Sequence, residues 1–214
     1  MRDLKFTLYR ANFSANSGTA TLVNDAIPAR KLGANPFHYV SNSTNTVIRV
    51  KHRNHGMHGA NAKVTFSGFG TAEGIINAAV SASTSVTLKA SNSLIAVGQT
   101  VTGTGISGSV TVSAISGTSL TLSSAQTLAA ETVLTFAATS YEGLTCTNVN
   151  TTHTISEQEL DSYTITITGD ASTSSGVDGG GALIKATEDK QYDILYPQFQ
   201  TLELPGTGIT YSLE

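Results

Sequence analysis

The chain has 214 residues, a formal net charge of −3 and only 13 % charged side chains, about half the usual globular share of roughly 25 %. Its Lys and Arg residues are scattered apart from Arg49, Lys51 and Arg53, so no basic stripe announces a nucleic-acid partner. No apolar run reaches the length of a membrane span. The single cysteine, Cys146, excludes an internal disulfide, and aromatics at 7 % without Trp leave Val, Ile, Leu and Ala to build the core.

Alternating Thr and Val, with no long Leu/Glu/Lys/Ala runs, predict an all-β fold. The chain opens on strand-like sequence, with Leu4, Phe6 and Leu8 alternating against Lys5 and Thr7. It closes the same way at Thr210 to Glu214, and both ends read as cuts in a longer polypeptide. A second strand is expected over Gly18–Asn24. Residues 1–35 would then be N-terminal strands continuing from an upstream segment.

From Ile48 to Gly70 two alternating runs, Ile48-Arg-Val50 and Val64-Thr-Phe66, flank a turn-rich loop. Period-two alternation puts Ile48 with Val50, and Val64 with Phe66, on single strand faces. The loop carries His52, His55 and His58, and imidazole is the commonest protein metal ligand. No Asp or Glu lies close by on the C-terminal side before Glu73, so these three candidates are expected to brace turn backbone instead of holding a metal.

Ala72–Ala79 has modest helical character. Between residues 79 and 138 the texture changes, with Lys89 and Glu131 the sole charges and no aromatic before Phe136. Short runs such as Val86-Thr-Leu88, Val110-Thr-Val112 and Leu120-Thr-Leu122 are punctuated by glycines, which predicts an inserted β module over 79–138. Gly103-Thr-Gly105-Ile-Ser-Gly108 matches a dinucleotide fingerprint, but Ser109-Val-Thr-Val-Ser after it is a strand pattern, not the required helix.

Residues 36–78 and 139–214 share one texture and read as a host β-barrel or sandwich that the module interrupts. Strands are expected at Leu144–Val149, Ser162–Thr168, Ala182–Ala186, Tyr192–Leu195 and Leu202–Leu204. Ser156-x-x-Glu159 has capping-box form, which predicts a helical turn over Glu157–Leu160. Residues 171–181 read as an exposed loop with Gly179-Gly-Gly181 at a flexible hairpin tip. Cys146, in an alternating run, is expected to be a buried strand residue. No catalytic residue and no cofactor is assigned.

Asn54-His-Gly-Met57 followed by Lys63-Val-Thr-Phe-Ser-Gly68 resembles a signature of β modules in tailed-phage virion proteins. Val47–Gly68, Asn150–Ile155, Asp161–Ile165, Gly179–Gly181 and Tyr192–Pro197 are similar, in that order, to large structural proteins of contractile-tailed phages of marine cyanobacteria. The 79–138 module, with Val97–Ile106 and Ile115–Ser123, resembles a small β module found in phage and bacterial surface proteins. The resemblance implies a non-enzymatic tail or baseplate segment, made in the host cytoplasm and placed in the virion. Its partners would be other virion structural proteins and further copies of itself, with no nucleic acid and no membrane.

The alternative is a carbohydrate- or receptor-binding module that takes a host-surface glycan. Such a site would draw on Tyr39, Tyr141, Tyr163, Tyr192, Tyr196 or Tyr211. A third reading, a polysaccharide depolymerase, would need two carboxylates converging in a cleft.

Overall fold

The computed structural model describes residues 17–21, 28–42, 45–57, 62–188 and 201–205. The chain divides into two units, Met1–Ala26 with Lys190–Glu214, and Ile27–Asp189. In the first, β1 (Ser17–Thr21) pairs antiparallel with a late strand, Thr201–Pro205, from Ser17 opposite Pro205 to Thr21 opposite Thr201. The strands expected at Leu4–Leu8 and Tyr192–Leu195 lie outside the described residues.

The second unit begins with β2 (Arg30–Lys31), β3 (Phe37–Asn42), β4 (Asn45–Lys51) and β5 (Lys63–Ser67). Six strands follow: β6 (Thr71–Ile75), β7 (Val80–Thr87), β8 (Thr100–Gly103), β9 (Val110–Ser116), β10 (Ser119–Leu128) and β11 (Val133–Ala137). After them come β12 (Ser140–Tyr141), β13 (Leu144–Thr145), a one-turn helix α1 (Cys146–Val149) and β14 (Thr152–Thr154). The unit ends with β15 (Ser162–Thr168), β16 (Asp178–Gly179) and β17 (Lys185–Glu188); the late strand of the first unit is β18. The fold is all-β, a host sandwich interrupted by an inserted β module.

Two four-stranded antiparallel sheets make the host, in the orders β14-β5-β17-β2 and β15-β4-β3-β16. Alternation along β4 turns Thr46, Ile48 and Val50 inward, and β15 answers with Tyr163, Ile165 and Ile167. The two sheets meet through Phe37 of β3 and Phe66 of β5, whose rings are 5.4 Å apart and edge-on. Phe69 stacks on Phe37 at 5.8 Å. These three rings are essentially sealed from water, and edge-on pairs contribute about 0.5–1.5 kcal/mol beyond the area they bury.

The insert is one six-stranded sheet in the order β6-β11-β8-β9-β10-β7. It curls into a half-barrel whose edge strands touch at one end. Ile76, just past β6, bridges Leu88, just past β7, and Lys89 N–H donates to Ile75 O at 2.8 Å. This contact shortens the free edges that would otherwise template pairing with other chains. Its core comprises Val86, Leu88, Val101, Val110, Val112, Leu120, Leu122, Leu134 and Phe136, together with Ala72 and Ile76.

Those last two residues place the start of the module at Thr71, not at 79. The 72–75 stretch is a strand, not a helix. Its pattern misleads because its inward residues are small. A Cβ on Gly74 would come within 3.2 Å of both Phe136 and Leu88, so one bulky ring fills the space that two ordinary strand residues would share.

Elsewhere the chain departs from expectation for local reasons. Leu144–Val149 is not one strand, because the Asp170 carboxylate accepts from Thr145 N–H at 3.0 Å and from Asn148 Nδ2 at 2.8 Å, folding the intervening residues into α1. The helical turn at Glu157–Leu160 is absent. Ser156 instead pairs backbone to backbone with Thr164, and Glu157 takes a left-handed conformation (φ +45°) with its carboxylate on the Thr164 hydroxyl. Strand β17 starts at Lys185 and reaches Glu188, later than the Ala182–Ala186 expected.

The barrel enters and leaves the host at adjacent points, since Ala138 N–H donates to Gly70 O at 2.9 Å. Joining Gly70 to Ala138 through a short Gly-Ser linker should therefore leave the host folded, with strand-type circular dichroism and a cooperative melt. An unfolded or aggregated product would mean that the barrel supplies core to the host.

Candidate functional site

The histidine loop becomes a polar cluster because β4 carries its alternation one residue too far. His52 follows Ile48 and Val50 on the inward face and is 1 % exposed. A buried imidazole must find partners, and they come from three other elements. Arg30 of β2 donates from Nε to His52 Nε2 at 3.1 Å. Since a guanidinium only donates, the ring proton of His52 sits on Nδ1, 3.0 Å from the Tyr163 hydroxyl of β15. Glu188 of β17 brings Oε1 to 3.2 Å from His52 Nε2 and accepts from Arg30 Nη2 at 3.0 Å.

Burial, followed by the charges of Arg30 and His55, lowers the His52 pKa to about 3. The ring is neutral at neutral pH, so its approach to Glu188 is not an ion pair. Burial also pushes the Glu188 carboxyl upward, against the pull of Arg30 and His55. Arg30 is thus the shared donor that lets two acceptors lie side by side. Its Nη2 also reaches the carbonyls of Arg53 and Asn54 at 2.8 and 3.4 Å.

His55 accepts from Met57 N–H through Nδ1 at 3.1 Å and donates from Nε2 to Glu159 O at 2.7 Å. Its ring lies edge-on to Tyr163 at 5.0 Å. Asn54 N–H donates to Asp161 Oδ1 at 3.0 Å. The loop after β4 is therefore stitched to the 159–163 segment through both backbone and ring. His58 lies outside the described residues. Among the described residues no group of three or more His, Cys, Asp or Glu is placed to hold a metal ion.

A second polar group, half-buried, centres on Glu142. Tyr39 donates its hydroxyl to the Glu142 carboxylate, and Gly180 donates its N–H to Oε2 at 2.9 Å. The backbone carbonyl of Glu142 takes Ser172 Oγ at 3.0 Å and Thr173 N–H at 2.9 Å. Burial raises the Tyr39 pKa, with Glu142 adding to the shift.

The Gly179-Gly-Gly181 run is therefore no flexible tip, and the 171–181 segment is not wholly an exposed loop. Gly179 pairs with Phe37, and a Cβ there would meet Glu142 Oε1 at 2.5 Å. Gly180 sits at φ +95° with Phe37 and Ile184 closing over it. A side chain at Gly179 would displace the carboxylate, and one at Gly180 would collide with Ile184 and Phe37.

Cys146 is buried as expected, though in α1 and not in a strand, and burial pushes its thiol up to about 11. The Gly103–Gly108 run ends β8 and leads into β9. Sequence reasoning missed Arg30, Glu188 and Glu142, and named Tyr163 only as a candidate for a glycan site. The alternation of Ser162–Thr168 does place Tyr163 inward. Arg30 and Glu188 carry no local signal, because only the sheet order β5-β17-β2 brings them together. Comparison with protein-family models, with curated proteins and with solved structures returns no match.

Proposed function

We propose that the chain is a non-enzymatic structural segment of a phage tail or baseplate protein, providing subunit interfaces and exposed loops. Its partners in that role are other virion structural proteins and further copies of itself. One observation carries the reading. The motif residues that resemble virion proteins, far apart in sequence, hold host loops to one another. His55 of Asn54-His-Gly-Met57 grips Glu159 O, Asn54 grips Asp161, Tyr163 meets His52, and Gly180 binds Glu142. Their work is architectural, which suits a scaffold built to keep its loops in place.

The glycan-binding alternative gains less. Sugar sites use exposed aromatic faces, whereas Tyr39 and Tyr163 are fully buried and bonded internally. Tyr192, Tyr196 and Tyr211 lie outside the described residues.

Immunogold labelling tests the proposal. An antibody raised against the purified chain should decorate the tail or baseplate of contractile-tailed particles made from the genome that encodes it. Particles that bind no antibody, with the chain recovered only from the soluble fraction, would overturn it.

A further inference from the structure

We propose that Arg30 is a latch holding a detachable strap, Arg30–Leu32, onto the Ile27–Asp189 unit. The proposal stands apart from the virion reading and rests on four features of the strap. First, β2 is two residues long and sits at the edge of its sheet, pairing only Arg30 with Ala186 and Lys31 with Lys185. One further bond extends the ladder, from Leu32 N–H to Ile184 O at 2.9 Å. Backbone pairing this short is marginal without help from side chains.

Second, beyond the buried Leu32 side chain, the polar help is concentrated in one group. The Arg30 guanidinium bonds His52 Nε2, the Arg53 and Asn54 carbonyls and Glu188 Oε1, joining β2, the loop after β4 and β17. Third, the group it bridges owes its present arrangement to it. His52 Nε2 and Glu188 Oε1 lie 3.2 Å apart, so without Arg30 the ring must move its proton to Nε2 or the two must separate. Fourth, the Arg30 side chain is 43 % exposed, so it can swing into water, and Leu32, 7 % exposed, is the one apolar side chain that opening the strap must draw out.

The placement gives the latch a consequence. β2 is the first strand of the unit and β17 the last, so the two chain connections of the unit lie just beyond Arg30 and Glu188. With the latch closed, both connections start from neighbouring paired strands. Opened, the first is released while the second remains anchored in β17, which still pairs with β5 over four residues. The unit thus carries a conformational device of one fixed and one releasable attachment.

Amide hydrogen exchange on the full chain tests this, comparing wild type with Arg30→Gln and Arg30→Lys. In the wild type, Leu32 N–H should already open more readily than the β4–β15 amides. In Arg30→Gln its exchange should quicken at least tenfold while the β4–β15 amides keep their rates. Arg30→Lys should fall between, because a point charge cannot reach two acceptors and two carbonyls as a planar fork does. An unchanged Leu32 rate in both variants would overturn the latch. So would Leu32 and the β4–β15 amides opening together in all three proteins, since the strap would then be an ordinary part of the core.

Discussion

Replacing Phe37 with Ala should destabilise the host by about 3–5 kcal/mol, a large part of the roughly 5–15 kcal/mol available to a domain. The ring is fully buried and touches Phe66 across the sandwich, Phe69 beside it and Gly180 beneath it. Truncation removes contact on three sides at once, and the glycine cannot move in to fill the space. Val40, three residues on in the same strand, is 54 % exposed, so Val40→Ala should stay within about 0.5 kcal/mol. Should Phe37→Ala prove insoluble, Phe37→Leu should fold with an intermediate loss. Urea denaturation followed by circular dichroism reads the difference. A Phe37→Ala midpoint indistinguishable from that of Val40→Ala would mean that the two host sheets do not share this core.

Acid should weaken the protein well before its carboxylates titrate. His52 has a folded pKa near 3 against an ordinary 6.5, so between those values the unfolded chain binds a proton that the folded one refuses. The stability of the neutral ring is fully present above about pH 6.5 and is lost as pH falls towards 3. The slope approaches about 1.4 kcal/mol per pH unit while the difference lasts. His153, buried and bonded through Nε2 to Val149 O at 2.9 Å, has its pKa lowered too and adds in the same direction. Glu188 works the other way, because a carboxyl with a raised pKa takes its proton more readily folded than unfolded. Its shift is smaller than that of His52, so acid destabilisation remains the net result. Urea midpoints should fall between pH 7 and pH 4.5, and His52→Gln, which keeps an acceptor but cannot charge, should flatten that fall. A wild-type midpoint constant across the range would show that His52 finds a proton without breaking its surroundings.

The parts of the fold legible in the sequence are those where inward residues are large and alternate. β4, β5, β9 and β15 are of this kind. Alternation failed where packing is shared unequally, as in β6, whose Ala72 and Gly74 leave room for Phe136 and look featureless alone. It failed again where a distant group decides the backbone, as Asp170 does for α1 across 25 residues from Thr145. The histidine loop shows both limits. That His55 braces a turn follows from its neighbours Gly56 and Met57. That His52 needs Arg30 and Glu188 follows only from the sheet order, since Glu188 lies 158 residues from Arg30. Gly179 and Gly180 looked like a supple tip because glycine signals freedom equally with close approach, and here close approach to Glu142 is the reason.

The hydrogen bond between Gly70 and Ala138 bears on the order in which the chain folds. Host strands before and after the barrel can pair only once residues 71–137 have been looped out of the way. An unstructured loop of that length raises the entropy of closure by on the order of 2 kcal/mol over a loop of a few residues. A barrel that has already closed presents its two ends side by side and removes that cost. Each of its own ladders, β6 with β11 included, joins segments nearer in sequence than the host's β4 with β15. Nearby contacts form sooner, so the barrel should assemble first and act as the turn on which the host sheets then meet.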